Sequence, residues 1–348
     1  MRQVYVYDEN QYALVVAPKP KILLPTDVIV KTTATTLCGS DVHILQGHMN
    51  TPWGFALGHE FVGTIEEIGS AVSGVCVGDR VVAPAAPWCG SCARCRDGQT
   101  QACERGGIFG SGAAYGNLGG AHAEFVRVPW ADSCVSKIPD NVTDTQAITV
   151  GDILSTGWTS VKHAVSAPGQ TLVVFGAGPI GLAAIHSSTL HGCARVIAID
   201  VMADRLELAK ELGADFIINA SEENVSEAIS KITAGKGANA IIDAAGTEST
   251  IASWPEVAAL SAKVAMVAIP SKPIEMQLAS LLQKNITVWS GFGDLKHMDM
   301  LLDLISIGKL DPSPIFTETV PFDAIENALD EFISRKPGLV KPLVVMGG

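Results

Sequence analysis

The stretch 171–190 reads TLVVFGAGPIGLAAIHSSTL, and it decides the fold of the second half of the chain. An apolar run predicts a buried strand, three glycines follow in the spacing GxGxxG, and a segment rich in Ala and Leu predicts a helix. A glycine motif alone is a weak signal, but here a strand precedes it and a helix follows it. The stretch therefore predicts the start of a dinucleotide-binding, doubly wound parallel sheet of the Rossmann type.

Each position of the glycine motif has a mechanical role. Gly176 allows a tight turn, Gly178 lets a pyrophosphate approach the backbone, and Gly181 lets the helix pack closely on the sheet. The free N–H groups at the helix start attract the phosphate charge. We predict that the cofactor is bound by Gly176, Gly178, Pro179, Ile180 and Gly181.

The next predicted strand, VIAID at 196–200, ends in Asp200. An acidic residue there, about twenty residues past the last glycine, is typical of binding to the ribose hydroxyls of NAD. Its charge disfavours the 2′-phosphate of NADP, although Arg205 is close enough in sequence to soften that preference. The alternative is a solvated carboxylate at the end of a strand.

The alternation of strands and helices continues beyond Asp200. Strands are predicted at 216–219, 240–244, 263–269 and 286–289, with helices at 205–212, 224–233 and near 251–260. Ligands of such sheets bind at the carboxyl ends of the strands. The loops that begin at Ala245, Ile269 and Gly291 should therefore face the nicotinamide end of the cofactor.

The first 150 residues instead predict short strands broken by Pro and Gly, which is typical of an antiparallel β-rich domain. Within it, the segment 37–60 contains Cys38 and His59, whose thiolate and imidazole suit zinc. Ser40 and His43 follow the cysteine closely enough to move a proton off a metal-bound oxygen. We predict a catalytic metal site in this segment.

A second cluster of cysteines follows. Four thiolates can close a tetrahedron around zinc with no open position, so this site should hold a loop in shape. A redox CxxC pair and an iron–sulfur cluster are the alternatives, but no thioredoxin-like βαβ pattern surrounds the segment. The predicted ligands are Cys89, Cys92, Cys95 and Cys103.

Three further features have simple interpretations. The glycine-rich segment 106–120 precedes no helix and predicts a flexible lid or connector. Asp152 lies at the start of a predicted helix, where free N–H groups favour a carboxylate, and the residues alone favour that role over metal binding. Lys341 is expected at the surface.

The bulk properties limit the remaining possibilities. A chain of 348 residues exceeds one usual hydrophobic core and predicts two domains. A net charge of −12 argues against nucleic-acid binding, which needs clustered Lys and Arg. With no long apolar run and no signal-peptide pattern, the sequence predicts a cytoplasmic protein that does not bind membranes.

Together these motifs resemble the zinc-dependent medium-chain alcohol dehydrogenases over essentially the whole chain. The resemblance is carried by CGSDVH at 38–43, GHE at 58–60, GDRV at 78–81, the four-cysteine loop, GAGPIG at 176–181 and LVKPLV at 339–344. It implies a GroES-like β-rich catalytic domain at 1–153, a Rossmann domain at 154–294, and a return to the catalytic domain at 295–348.

The resemblance also implies roles for individual residues. Cys38 and His59 match catalytic zinc ligands, Glu60 matches a carboxylate that can approach the metal, and Ser40 with His43 matches a proton relay. Asp152 matches the third ligand, which is cysteine in the liver-type enzymes and an oxygen ligand in secondary-alcohol and formaldehyde dehydrogenase branches. This reverses the preference for a simple helix-start role.

The implied activity is hydride transfer between NAD and a small alcohol, with two zinc ions per subunit, one catalytic and one structural. The product is a ketone or aldehyde, and a secondary alcohol is the expected substrate. Polyol, diol and formaldehyde dehydrogenases on the same fold are alternatives, as is a zinc-binding protein without catalysis. A homodimer or homotetramer is expected.

Overall fold

The structure, a computed structural model, describes residues 1–347. The chain folds as two compact units, one formed by Met1–Ser155 with the segment that begins at Asp294, the other by Thr156–Gly293. The domain limits expected from the sequence lie within a few residues of these and stay a prediction. Within the described residues, no helix has both the length and the apolarity needed to cross a bilayer.

The first unit opens with short elements, as its many Gly and Pro residues predict. In chain order they are β1 (Arg2–Asp8), β2 (Gln11–Val16), β3 (Val28–Thr36), α1 (Gly39–Leu45), β4 (Phe55–Ala56), β5 (Phe61–Ile68), β6 (Arg80–Ala83), α2 (Ala93–Arg96), β7 (Phe125–Val128), α3 (Ala131–Cys134), β8 (Ser136–Lys137) and α4 (Asp144–Ala147). Helix α5 (Ile153–Ala164) begins in this unit and continues in the second.

The second unit alternates strands and helices. Its elements after α5 are β9 (Thr171–Phe175), α6 (Pro179–Ser188), β10 (Arg195–Asp200), α7 (Ala203–Glu211), β11 (Phe216–Asn219), α8 (Val225–Ile232), β12 (Ala238–Asp243), α9 (Glu248–Val257), β13 (Ala258–Met266), α10 (Leu278–Gln283) and β14 (Thr287–Ser290). The chain then returns to the first unit with α11 (Met298–Ser306), β15 (Glu318–Pro321), α12 (Ile325–Ile333) and β16 (Pro342–Val345).

Strand β3 is the centre of a seven-stranded sheet in the first unit. Its run of β-branched residues suits a strand that is buried along most of its length. The sheet order is β15-β16-β3-β5-β6-β8, and β7 pairs with β3 as well. Strand β16 runs antiparallel to β3, with Leu343 opposite Thr36. The last strand of the chain is thus fixed beside the segment that leads into Cys38.

The sheet of the second unit has six parallel strands in the order β11-β10-β9-β12-β13-β14. The predicted doubly wound sheet is confirmed. Strand β9 is fully buried, as expected for a parallel strand with helices on both faces. Since β10 and β12 lie on opposite sides of β9, the carboxyl end of β9 is the topological switch point where ligands of such sheets bind.

One predicted helix limit is wrong. The helix expected near 251–260 spans Glu248–Val257, and residues 258–260 already belong to β13. The helix begins earlier because the Thr247 hydroxyl accepts a hydrogen bond from the Thr250 N–H at 3.2 Å and so caps the first turn. It ends earlier because Ala258 is already extended and pairs with Ala238 of β12.

Candidate active site

Helix α1 places the first of the predicted metal-binding residues. Cys38 precedes its first turn in extended conformation, and its backbone N–H donates to Oδ2 of Asp41 at 2.8 Å. The thiol is 6% exposed, because Leu37 on one side and Ile44 and Leu45 on the other belong to the apolar core beneath it. The start of α1 therefore holds the cysteine in a fixed, largely buried position.

Three segments far apart in sequence bring four possible ligand atoms together. Cys38, His59, Glu60 and Asp152 each offer one such atom, and all four atoms lie within 4.8 Å of one another. Nε2 of His59 lies 3.4 Å from Oδ2 of Asp152 and 4.0 Å from Oε1 of Glu60. Asp152 immediately precedes α5, so it lies at a helix start as its sequence position predicts, but its carboxylate also faces this cluster.

The cluster suits a divalent metal. It combines sulfur, nitrogen and oxygen donors in the mixture typical of catalytic zinc sites. Burial lowers the pKa of His59, but the charge of Asp41 and the hydrogen bonds that the ring donates to Asp152 and Cys38 raise it to well above the usual value.

Glu60 has a buried cationic partner. Its Oε1 accepts from Nζ of Lys341 at 2.9 Å, and Lys341 also donates to the Leu37 carbonyl at 2.8 Å. Both side chains are 0% exposed. Burial lowers the pKa of Lys341, but the charge of Glu60 together with the charges of Cys38 and Asp152 and the hydrogen bond to Glu60 raises it. Among the described residues, Oε2 of Glu60 has no hydrogen-bond partner, so one oxygen of this carboxylate is still able to accept one.

The expected surface position of Lys341 is wrong. Strand β16 begins one residue later and pairs with β3, which places Lys341 next to Leu37 inside the unit. A buried carboxylate without a partner would be very costly, and this lysine neutralises it. Long-range pairing of the two strands therefore overrides the general preference of lysine for solvent.

Behind His59 lies a second row of side chains that the sequence analysis missed. Oδ1 of Asp41 lies 3.3 Å from Nδ1 of His59, and Oδ2 lies 3.4 Å from Nε2 of His122. Asp41 and His122 are 0% exposed. Burial raises the pKa of Asp41, but the two histidines lower it well below its usual range. The only sequence signal was an aspartate three residues after Cys38, in the first turn of α1.

The glycine-rich segment 106–120 packs against the residues that precede His59. Its central part is buried, so the expected flexible lid is wrong there. Phe109 and Ser111 are buried. Gly110 has φ +64°, and a Cβ there would lie 2.3 Å from the backbone of Gly58. Gly58 has φ +98°, and a Cβ there would lie 2.5 Å from the ring of His122. These contacts require glycine, and they fix the chain just before His59.

The predicted relay residues both lie on α1. Oγ of Ser40 is 3.2 Å from Nε2 of His59, so Ser40 adjoins the cluster. His43 lies one turn further on, and its Nδ1 is 3.1 Å from Nδ1 of His48. Burial lowers the pKa of His43, and the nearby charges of His48 and Arg335 lower it further. A neutral imidazole at this position can accept a proton near neutral pH.

The four-cysteine cluster forms a compact loop. The Sγ atoms of Cys89, Cys92, Cys95 and Cys103 lie within 4.8 Å of one another, and those of Cys92 and Cys103 are 4.0 Å apart. A tetrahedral zinc with Zn–S bonds of about 2.3 Å separates its sulfurs by about 3.8 Å, so the arrangement fits that metal. The described residues contain no disulfide.

Backbone N–H groups point at the sulfurs of this loop. Cys92 N–H donates to Sγ of Cys89 at 3.4 Å, and Cys95 N–H donates to Sγ of Cys92 at 3.5 Å. Burial raises the pKa of Cys89, but hydrogen bonds, first those from Ser91, lower it to about 6. These donors favour the thiolate form that binds zinc.

The glycine motif of the second unit has the geometry expected of a pyrophosphate cradle. Gly176 has φ +89°, and a Cβ on Gly181 would lie 1.8 Å from the Gly176 carbonyl oxygen. A Cβ on Gly178 would meet only the Arg205 guanidinium, at 3.9 Å, so this backbone is open to a ligand. Pro179 and the half-buried Ile180 begin α6, whose N-terminus adjoins the cradle.

Asp200 is held at the end of β10 by backbone donors. Its Oδ2 accepts from the Ala177 N–H at 2.7 Å, and its Oδ1 accepts from the N–H groups of Val201 and Met202 at 2.8 and 3.0 Å. The carboxylate is thus tied to the glycine turn itself. Arg205 lies near the same turn, and within the described residues its buried Nε has no hydrogen-bond partner.

The other predicted cofactor contacts follow β12 and β13 directly. Asp243 ends β12, and its Oδ1 accepts from the N–H groups of Ala245 and Gly246 at 3.0 and 2.8 Å. Its Oδ2 accepts from Nε1 of Trp254 at 2.9 Å. Ala245 and Ile269 are exposed at the carboxyl edge of the sheet. Sequence analysis missed Asp243, whose anchoring role depends on the loop that folds back onto it.

Comparison with known proteins agrees with these features. Residues 24–140 match the alcohol dehydrogenase GroES-like domain, and residues 179–306 match the zinc-binding dehydrogenase family. An alcohol dehydrogenase from Cupriavidus necator is 35% identical, over 91% of this chain and 91% of its own length.

Solved structures are similar over nearly their full length. The alcohol dehydrogenase TADH from Thermus sp. ATN1 has a TM-score of 0.94 and 34% identity, with 100% of both chains covered. An alcohol dehydrogenase from Escherichia coli CFT073, complexed with NADH, has a TM-score of 0.89 and 28% identity, with 99% of both chains covered. In fold, cofactor cradle and metal-ligand clusters, this chain belongs to the zinc-dependent medium-chain alcohol dehydrogenase family.

Proposed function

We propose that this alcohol dehydrogenase is NAD-dependent and oxidises a secondary alcohol to its ketone, with Cys38, His59 and Asp152 as the catalytic zinc ligands. The observation that carries the proposal is the cluster in which these residues and Glu60 place their ligand atoms within 4.8 Å of one another. When bound, zinc supplies a Lewis acid that lowers the pKa of the alcohol, and NAD supplies the hydride acceptor.

The protein's own side chains handle the proton and the charge. Ser40 Oγ adjoins the cluster and accepts the proton of the alcohol, and His43, held neutral by its surroundings, is the base further along α1. Lys341 neutralises Glu60, so that this carboxylate can lie beside the metal ligands without leaving an uncompensated buried charge. The four-cysteine loop is proposed to hold a second, structural zinc.

The ligand role of Asp152 is tested by Asp152→Asn. We expect kcat/KM to fall by roughly 10²-fold or more, the loss typical of removing one charge-stabilising group. Zinc content should drop from two per chain towards one while the circular dichroism spectrum is unchanged. Asp140→Asn, at an exposed aspartate of the same unit, is the matched control. Full activity and full zinc content in Asp152→Asn would remove Asp152 from the ligand set.

Cofactor choice is proposed to depend on Asp200. The NADH in the Escherichia coli relative and the carboxylate held beside the glycine turn support NAD. Asp200→Ala should weaken NAD binding by roughly 10- to 100-fold, the worth of hydrogen bonds to a charged group. It should also reduce the preference for NAD over NADP. Binding titrations with both cofactors test this, with the exposed Glu207→Ala as control. Unchanged affinities for both would contradict the ribose role.

Substrate and assembly are proposed on the same basis. Turnover of 2-propanol, 2,3-butanediol and formaldehyde compared side by side distinguishes a secondary-alcohol enzyme from the diol and formaldehyde types. A cytoplasmic homodimer or homotetramer is proposed from the family resemblance, and light scattering of the zinc-loaded protein measures the subunit number.

A further inference from the structure

His122 is a buried histidine that the proposed mechanism does not use. It lies just before β7 and is 0% exposed. Its backbone N–H donates to the Leu57 carbonyl at 3.0 Å, and its own carbonyl accepts from the Val4 N–H at 2.9 Å. Its position is therefore set by two neighbouring segments, and its ring is directed into the first unit towards α1 and β3.

Both ring nitrogens of His122 have partners. Nδ1 is 2.8 Å from Oγ1 of Thr35, and Nε2 is 3.4 Å from Oδ2 of Asp41. Thr35 also lies within 2.8 Å of the Glu60 carbonyl oxygen, to which its hydroxyl can donate. The ring thus links the end of β3 to the first turn of α1.

The charges and hydrogens of its neighbours determine whether Nε2 of His122 donates or accepts a hydrogen bond. Asp41 is a carboxylate, so a lone pair on Nε2 would face a negative oxygen and repel it. A neutral ring therefore carries its hydrogen on Nε2 and accepts the Thr35 hydroxyl at Nδ1. If Thr35 instead donates to the Glu60 carbonyl, the ring needs hydrogens on both nitrogens. In either arrangement, Nε2–H of His122 points at Oδ2 of Asp41.

Because Nε2 of His122 donates to Oδ2, the two oxygens of Asp41 have different partners. Oδ2 receives the Cys38 N–H at 2.8 Å as well as the His122 ring. Oδ1 is left facing Nδ1 of His59 at 3.3 Å, an ion-pair contact, and neither of these two atoms has a hydrogen-bond partner among the described residues. With Nδ1 of His59 carrying the hydrogen, Nε2 presents its lone pair on the side where Asp152 lies at 3.4 Å.

We propose that His122 is a positioning residue for the catalytic metal site. By binding Oδ2 of Asp41, it orients that carboxylate so that Oδ1 fixes the ring and the tautomer of His59. The inference rests on the proposed function, because it takes His59 to be a zinc ligand. Gly58 contributes to this arrangement, because only a residue without Cβ leaves room for the His122 ring at that position.

The test compares His122→Gln with His122→Leu in the full-length, zinc-loaded protein. A glutamine amide can donate to Asp41 and accept from Thr35, whereas leucine fills space without either hydrogen bond. Native mass spectrometry during titration with a chelator counts the zinc ions that each chain retains. The structural zinc, if unaffected, serves as the internal control within every sample.

We expect His122→Leu to lose one zinc at up to about 10-fold lower chelator strength than the wild type, the low end of the effect of removing a direct partner of a metal ligand, because His122 acts through Asp41. The second zinc should be unchanged, and His122→Gln should stay much closer to the wild type. If His122→Leu does not fold, His122→Asn replaces it, because asparagine is too short to bridge Asp41 and Thr35.

Three results would overturn the inference: equal zinc retention in wild type and His122→Leu, equal losses in the Gln and Leu variants, or parallel weakening of both zinc sites. The last of these would indicate a general loss of stability. A wild-type protein that binds a single zinc would instead refute the proposed function, so the two failures can be told apart.

Discussion

The two clusters of possible metal ligands in this chain lie in the same unit, yet they are built in opposite ways. The ligands of the four-cysteine loop lie within 14 positions of one another, and backbone N–H groups surround their sulfurs. In the other cluster, Cys38 and Asp152 are 114 positions apart, and the supporting groups are the buried side chains of Asp41 and Lys341.

The difference shows that possible metal ligands can be brought together either by one short loop or by contacts between distant segments. Four like ligands on a short loop can close around a metal with little help from the rest of the fold, which suits a structural site. A mixed set from distant segments needs a folded scaffold and charged partners to hold it. Such a ligand set can leave one coordination position of the metal open for substrate.

The largest effect should follow from opening the four-cysteine loop. Cys92→Ser removes one thiolate from a type of site whose binding free energy is on the order of 10 kcal/mol and contributes directly to folding. We expect loss of one zinc, increased proteolysis within 89–103 and a lower Tm. Elemental analysis, limited proteolysis and calorimetry measure these effects.

Cys76→Ser is the matched control, because Cys76 is exposed and lies outside both clusters. A normal zinc content and Tm in Cys92→Ser would show that the loop does not depend on metal.

The next largest effect concerns the buried pair beside the catalytic cluster. Lys341→Met leaves Glu60 charged and without its cation, which should lower the free energy of unfolding by about 3 to 5 kcal/mol. Adding Glu60→Gln removes the uncompensated charge and should recover much of the loss. Urea denaturation of the wild type, the single variants and the double variant measures the coupling.

Lys31→Met is the surface control for this pair, since Lys31 is an exposed residue of β3. Equal destabilisation of the Lys341→Met single variant and the double variant would mean that lost packing, rather than the unpaired Glu60 charge, explains the effect.

The smallest effect is a shift in pH dependence. Burial and, after it, the electrostatic effect of His48 lower the pKa of His43, so His48→Gln should raise that pKa. Alcohol oxidation falls as pH drops through the pKa of His43, because a protonated ring cannot accept a proton. The acidic limb of the kcat profile should therefore move to higher pH.

Arg335→Gln should move the same limb in the same direction by less, since Arg335 is the weaker of the two charged neighbours. An acidic limb that stays in place in both variants would separate His43 from the proton transfer.

Local signals explain which features were predictable. The GxGxxG turn and the four-cysteine loop are short segments whose residues meet whatever the rest of the chain does, so their spacing carries the information. The alternation of strands and helices likewise predicts the parallel sheet. Limits of single elements were less accurate, as for α9, because a capping residue such as Thr247 shifts a helix start by a few positions.

Periodicity, glycine spacing and ligand chemistry are visible in the residues themselves, so they predict the class of fold, the glycine turn and the side-chain types of both candidate metal sites. The folded structure was needed to show that Asp152 faces His59, that Lys341 is buried against Glu60, and that His122 lies next to Asp41. Such contacts join segments distant along the chain, and strand pairing and core packing bring them together.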